Sequence, residues 1–224
     1  MTRTLAFDVY GTLIDTAGVL ETLKDLVPDQ AAAFSTLWRE KQLEYSFRRG
    51  LMQNYQEFSV CTRQALDYTC SMLEVDIPEA NRKSLMETYR VLPAFPEVSE
   101  ALKTLRADEA RMFAFSNGTA DAVRGLLRNA DIDGLFDDVI STDEVRSFKP
   151  NPGVYAHFLR RAGATGAEAW LISSNPFDVT GAISAGMRAG WVKRSPSAVF
   201  DPWEIRPTIT IGGLTELPEA LAAT

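Results

Sequence analysis

Residues 5–12, Leu-Ala-Phe-Asp-Val-Tyr-Gly-Thr, carry an aspartate out of an apolar run and into a glycine turn. A carboxylate delivered that way is exposed where the run ends, with backbone N–H groups of the turn beside it to hold an anion. It can serve as a nucleophile, a general base or a metal ligand. Taken alone, Asp8 could equally cap the turn that follows. Other chemistry-bearing residues recur in comparable places: Ser116-Asn117 after Met112-Phe113-Ala114-Phe115, and Ser173-Ser174-Asn175 after Trp170-Leu171-Ile172. Lys149 sits in a proline-rich turn and Asp178 lies three residues past Asn175. That order of groups along the chain weighs against a mere cap. The single histidine, His157, leaves little from which to build a zinc cluster or a Ser/His/Asp triad, and it reads as a helix surface or packing residue.

These residues need a scaffold that brings the ends of apolar runs together. Six such runs occur, at 5–10, 111–117, 137–141, 169–175, 189–194 and 208–213, and the first five adjoin segments of helical periodicity. Alternation of that kind predicts βαβ units and a doubly wound α/β fold with a parallel sheet. Ligands of such sheets bind beyond the carboxyl ends of the strands. The interval Thr16 to Pro96 breaks the rhythm. It reads as helices over 19–26, 31–49, 53–74 and 78–91 with no convincing strand, hence an all-helical domain (16–96) inserted into an α/β core (1–15 and 97–224). On its second helix Arg39, Gln42 and Leu43 fall at i, i+3 and i+4 and share one face, able to roof the cleft.

Composition narrows the partners. With 46% hydrophobic and 24% charged residues over 224 positions, the chain has ordinary globular values. The formal charge of −7 disfavours nucleic acid and anionic lipid as partners. No apolar run approaches the roughly 18 residues needed to span a bilayer, and the N-terminal stretch lacks the apolar segment of a secretory signal. Cys61 and Cys70, nine positions apart on one expected helix, would stand roughly 13 Å apart by helical rise, beyond disulfide reach. Reduced cysteines and a cytoplasmic location are expected.

Taken together, these motifs resemble the haloacid dehalogenase superfamily over essentially the whole chain. More narrowly, residues 7–15 (FDVYGTLID), 37–47 (LWREKQLEYSF), 115–119 (FSNGT), 148–155 (FKPNPGVY) and 173–182 (SSNPFDVTGA) resemble the L-2-haloacid dehalogenases. The resemblance implies a Rossmann-like core with a helical cap, no metal or other cofactor, and a homodimer. It implies a 2-haloalkanoate as substrate, with halide ion as product. Asp8 is the implied nucleophile, and Lys149 and Ser116 hold the substrate carboxylate with the backbone N–H groups of Val9 and Asn117. Arg39, Asn117 and Phe177 receive the halide; Tyr10, Leu43 and Phe58 form the apolar pocket for the C2 substituent, with Gln42 beside them. Ser173 and Asn175 orient Lys149 and the nucleophile, Asp178 positions or activates water, and Thr12 and Tyr155 give support. Where relatives carry an acidic and a basic residue after the loop proline, this chain has Asn151-Pro152-Gly153, a departure that bears on loop geometry.

Tyr10 separates the branches of that superfamily on physical grounds. Phosphatase members place a second aspartate there to protonate a departing alkoxide, beside a magnesium ion that offsets phosphate charge. A departing halide is a stable anion and needs no proton, so a phenol that walls the site suits a small carbon substrate. The expected reaction is hydrolysis of an (S)-2-haloacid to the (R)-2-hydroxyacid through an ester on Asp8. The alternatives are a metal-dependent phosphomonoesterase, a hydrolase of another small 2-substituted carboxylate such as a strained cyclic amino acid, and a non-catalytic binding protein.

Overall fold

The computed structural model describes residues 3–224. The first two residues, assigned above to the core, lie outside them. All six expected strands form: β1 (Thr4–Phe7), β2 (Arg111–Ser116), β3 (Asp138–Ser141), β4 (Ala169–Ser173), β5 (Arg188–Val192) and β6 (Ile209–Ile211). Every pairing is parallel, in the order β3-β2-β1-β4-β5-β6. Sequence order reverses between β1 and β4, and the crevice of a doubly wound sheet lies at such a reversal.

Both faces of the sheet are covered, which is why its strands read as continuous apolar runs. Side chains alternate along each strand: Leu5 and Phe7 join one core cluster with Met112, Trp170 and Ile172, whereas Ala6 joins the other with Phe115, Leu171 and Trp191. Helices α5 (Val98–Ala107), α6 (Ala120–Asn129) and α9 (Leu217–Ala222) supply residues to the first cluster, and α7 (Pro152–Ala162) and α8 (Pro176–Ser184) to the second.

Between β1 and α5 run four helices and no strand: α1 (Ala17–Leu26), α2 (Ala31–Leu51), α3 (Phe58–Met72) and α4 (Glu79–Thr88). The third is shorter than its pattern suggests. Gln53 takes a left-handed φ of 53°, which an L-residue helix does not propagate, so 53–57 crosses as a loop before α3 begins. The chain leaves and re-enters the α/β part through adjacent segments: Asp15 N–H donates to Pro93 O and Phe95 N–H to Leu13 O, each at 2.9 Å. Cys61 and Cys70 are buried on α3 and unbonded to each other. His157 packs inside α7 with Nε2 3.1 Å from Glu144. No described helix is long and apolar enough to cross a membrane.

Candidate active site

Asp8 follows β1 directly, and its backbone N–H still donates to Ile172 O of the neighbouring strand. Gly11, at φ +79°, turns the chain back so that Thr12 comes up beneath the carboxylate. The two carboxylate oxygens are treated differently. Oδ2 accepts from three side chains, Asn175 Nδ2 at 2.7 Å, Thr12 Oγ1 at 2.9 Å and Ser173 Oγ at 3.2 Å. Oδ1 has Lys149 Nζ at 3.2 Å and is otherwise unclaimed among the described residues. Thr12 Oγ1 accepts from Ser174 N–H, and its own proton lies nearer Asp8 Oδ2, at 2.9 Å, than Ser174 Oγ, at 3.2 Å, whose hydroxyl in turn donates to Gly11 O.

Lys149 is buried in a polar socket. Its ammonium donates to Asp8 Oδ1, to Asp178 Oδ2 at 2.8 Å and to Phe115 O at 2.8 Å, which uses all three of its N–H bonds. Its loop is held by Asn117, whose Oδ1 accepts the Lys149 backbone N–H at 2.9 Å and the Thr142 hydroxyl at 3.3 Å. The unusual Asn151-Pro152 pair keeps the loop in register: Asn151 caps α7 through Gly153 N–H, and Pro152 occupies the first helical position.

Electrostatics sort the two acids. Burial alone pushes the Asp8 carboxyl up, but the Lys149 charge and the hydrogen bonds from Thr12, Lys149 and Asn175 outweigh it and hold it below its usual range. For Asp178 burial prevails, reinforced by the Asp8 charge and only partly offset by Lys149, and its carboxyl is pushed to about 6. Lys149 is pushed down by burial yet kept above the ordinary lysine value by Asp178 and Asp8. Two acids in contact with one cation are thereby held differently, one favoured as the carboxylate and the other poised near neutrality.

The chamber above Asp8 has a volume of about 20 Å³ and is lined by Tyr10, Arg39, Leu43, Phe58, Ser116, Asn117, Gly118, Lys149, Asn175 and Phe177 as well as Asp8. Eight of the residues named from sequence beyond Asp8 and Lys149 therefore converge on it, from α2, α3 and three strand ends. Arg39 Nη2 reaches Asn175 Oδ1 at 3.4 Å, and Phe177 is packed edge-on by Phe47 at 5.1 Å. The backbone N–H groups of Val9 and Asn117 have no acceptor among the described residues. Burial raises the Tyr10 phenol to about 12, so it stays neutral.

Six of the expected residues lie off the chamber wall. Thr12 and Ser173 contact Asp8 from below. Asp178 is fully buried under Lys149, and Tyr155 lies deeper still, donating to Asp178 Oδ1 at 2.8 Å, so it supports the acid and does not face the chamber. Gln42 is also turned away: its Nε2 donates to the Tyr89 hydroxyl at 2.9 Å, while its buried Oε1 has no partner. Val9 contributes backbone only, its side chain being in the core.

Sequence reasoning missed three supports. Tyr89 stacks edge-on with both Tyr10 and Trp38. Phe47 backs Phe177. Arg194, just past β5, donates to Thr12 O, pairs with Glu97 and lies over the Phe95 ring. A cation after a strand end was a visible signal for Arg194. Tyr89 and Phe47 carried none beyond an aromatic side chain on a helical segment.

Known proteins match this arrangement. Residues 2–186 fit the model of the haloacid dehalogenase-like hydrolase family. The chain is 37% identical over 207 residues to haloacetate dehalogenase H-2 of Moraxella sp. (strain B), covering 92% of each chain. It is 36% identical over 219 residues to (S)-2-haloacid dehalogenase 2 of Pseudomonas sp. (strain CBS-3), covering 98% of this chain and 95% of that one. L-2-haloacid dehalogenase from Xanthobacter autotrophicus superposes with a TM-score of 0.92 at 30% identity over all of both chains, as does its form with chloropropionic acid covalently bound. The parallel sheet, the helical insertion and these matches agree, and the chain belongs to the haloacid dehalogenase-like hydrolase family.

Proposed function

We propose that this protein is an (S)-2-haloacid dehalogenase, hydrolysing its substrate to the (R)-2-hydroxyacid through an ester on Asp8. The observation that carries the reading is the unequal treatment of the Asp8 oxygens. Oδ2 is saturated by three donors, and Oδ1 keeps a free lone pair beside the chamber. Oδ1 is then the attacking atom. It forms a bond to C2 from the side opposite the halogen, the carbon–halogen bond breaks with its electron pair, and C2 is inverted. Arg39, the Asn117 amide N–H and the Phe177 ring edge offer positive potential to the departing halide. The positive charge of Lys149, the Ser116 hydroxyl and the free N–H groups of Val9 and Asn117 suit the substrate carboxylate.

Water next attacks Cγ of the ester. Negative charge develops on Oδ2, where Thr12, Ser173 and Asn175 already donate, an arrangement that stabilises a tetrahedral intermediate without reorganisation. Asp178, with its carboxyl near 6, is matched to take the water's proton. Lys149, 3.2 Å from Oδ1, is placed to protonate that oxygen as it leaves with the hydroxyacid. The 2.8 Å contact between Asp178 and Lys149 returns that proton, and the water's second proton, left on the regenerated Asp8 carboxyl, passes to solvent as Asp8 ionises. Tyr10, neutral and stacked on Tyr89, supplies a wall where a phosphatase needs an acid. The relatives named for (S)-2-haloacids, haloacetate and covalently bound chloropropionic acid support this substrate class.

The reading includes a cap domain at 16–96 on a core of 1–15 and 97–224, and a metal-independent enzyme of the cytoplasm. It also includes a homodimer, for which the exposed Leu51 and Met52 at the end of α2 offer apolar surface. Halide release from (S)- and (R)-2-chloropropionate in EDTA, by wild type and Asp8→Asn, tests the chemistry. Release from the (S) form alone, lost in the variant, is expected. Magnesium-dependent hydrolysis of p-nitrophenyl phosphate with no halide from either enantiomer would replace it with the phosphomonoesterase reading.

A further inference from the structure

Beside the Asp8 chamber lies a second cavity of about 450 Å³. The two share Tyr10, Arg39, Phe58 and Gly118 as walls. Tyr10 and Phe58 are two of the three residues expected to face the C2 substituent, so a substituent directed at them is directed at this cavity. Its far side is made by Thr62 of α3, Met86 of α4 and Tyr89. On the core side Gly118 allows close packing, since a Cβ there would meet Val123 at 3.3 Å, Ser116 Oγ at 3.6 Å and the Tyr10 ring at 4.0 Å.

We propose that this cavity is a subsite for an extended C2 chain, and that the enzyme accepts 2-haloalkanoates with uncharged alkyl tails several carbons long. The inference rests on the haloacid reading and deepens it. Three observations carry it. The volume falls within the range of small-molecule sites and far exceeds the needs of a two- or three-carbon acid. Aromatic rings and the flexible thioether of Met86 give walls that adapt to chains of different length. The charged lining is Glu57, Glu87 and Asp121 against Arg39 and Arg90. The three acids outnumber the two arginines, and Arg90 lies 3.3 Å from Glu87, so a second carboxylate is disfavoured there relative to an alkyl chain.

The test is kcat/KM, by halide release, for (S)-2-chloropropionate, -butyrate, -hexanoate and -octanoate and for (S)-2-chloroadipate, in wild type and Met86→Trp. Each added methylene is expected to raise kcat/KM about fourfold until the cavity is filled. 2-Chloroadipate should fall well below 2-chlorohexanoate. The indole of Met86→Trp, by filling the cavity, should lower the hexanoate-to-propionate ratio about sixteenfold or more, the equivalent of two or more methylenes. A steady fall from butyrate upward in wild type overturns the subsite, whatever the variant does, and so does an unchanged ratio in an active Met86→Trp. Release of no halide from 2-chloropropionate overturns the haloacid reading itself, and is thereby distinguished from failure of the subsite alone.

Discussion

Replacing Thr12 by valine removes one of the three donors to Asp8 Oδ2 while keeping the shape of the side chain. The two chemical steps should respond in opposite directions. During attack on C2 the carboxylate loses charge, so a donor withdrawn from it leaves the nucleophile as reactive as before, or more so. In ester hydrolysis Oδ2 becomes an oxyanion, and loss of one preorganised donor costs about 10²–10³-fold in rate. Asn175 at 2.7 Å and Ser173 at 3.2 Å remain, which sets the lower part of that range as the expected cost. The Ser174 backbone N–H also loses its acceptor, at about 1–3 kcal/mol of stability; Thr12→Ser, which keeps both bonds, is the control. In rapid-quench experiments with (S)-2-chloropropionate, Thr12→Val should release one equivalent of halide in a burst at near wild-type rate and then turn over slowly. Intact-mass measurement should find the ester accumulated on the protein. Slow halide release without a burst, and no adduct, would refute both the choice of Oδ1 as attacking atom and the oxyanion role of Oδ2.

Acid should switch the enzyme off through Asp178. Its carboxyl sits at about 6 beside ionised Asp8, and the ester, by removing that charge, lowers it; kcat should therefore decline in acid below that value, and Asp178→Asn should remove this limb along with most of the activity, as a pH–rate profile will read. The same shift has a stability sign. The folded protein holds a proton on Asp178 that the unfolded chain, at the ordinary aspartate value of 3.8, releases, so this group's contribution to stability is full below about pH 4 and is lost as pH rises through about 6. Lys149→Met leaves Asp8 and Asp178 buried without their shared cation; urea denaturation at neutral pH should show a loss of about 3–5 kcal/mol, and the deficit should shrink in acid as the carboxyls protonate.

The strands were legible because a sheet buried on both faces writes itself as uninterrupted apolar runs, each ending in a polar residue where the site begins. Asp8, Ser116 and Ser173 were found that way. Direction of side chains within the site was less legible. Arg39, Gln42 and Leu43 share a helix face by spacing, yet only Arg39 and Leu43 line the chamber, because Tyr89 draws Gln42 into a hydrogen bond formed by tertiary packing. Tyr155 fits a binding motif by position but is buried beneath Asp178. Asn175 shows local preference overridden: it stands before α8, where asparagine ordinarily caps the helix, and gives its amide to the nucleophile instead.

The partners of Asp8 are spread across the chain. Thr12 is four positions away, but Lys149, Ser173 and Asn175 are separated from it by 141, 165 and 167. Such contacts form only after the costliest loops have closed. During synthesis the nucleophile emerges before β4 and waits for it, while α2 and α3 can pack against each other at short range. Competence for ester formation is therefore acquired in the closing stage of folding. Stoichiometric trapping of the ester counts molecules whose central strands have docked, and its rise during refolding times the completion of the sheet.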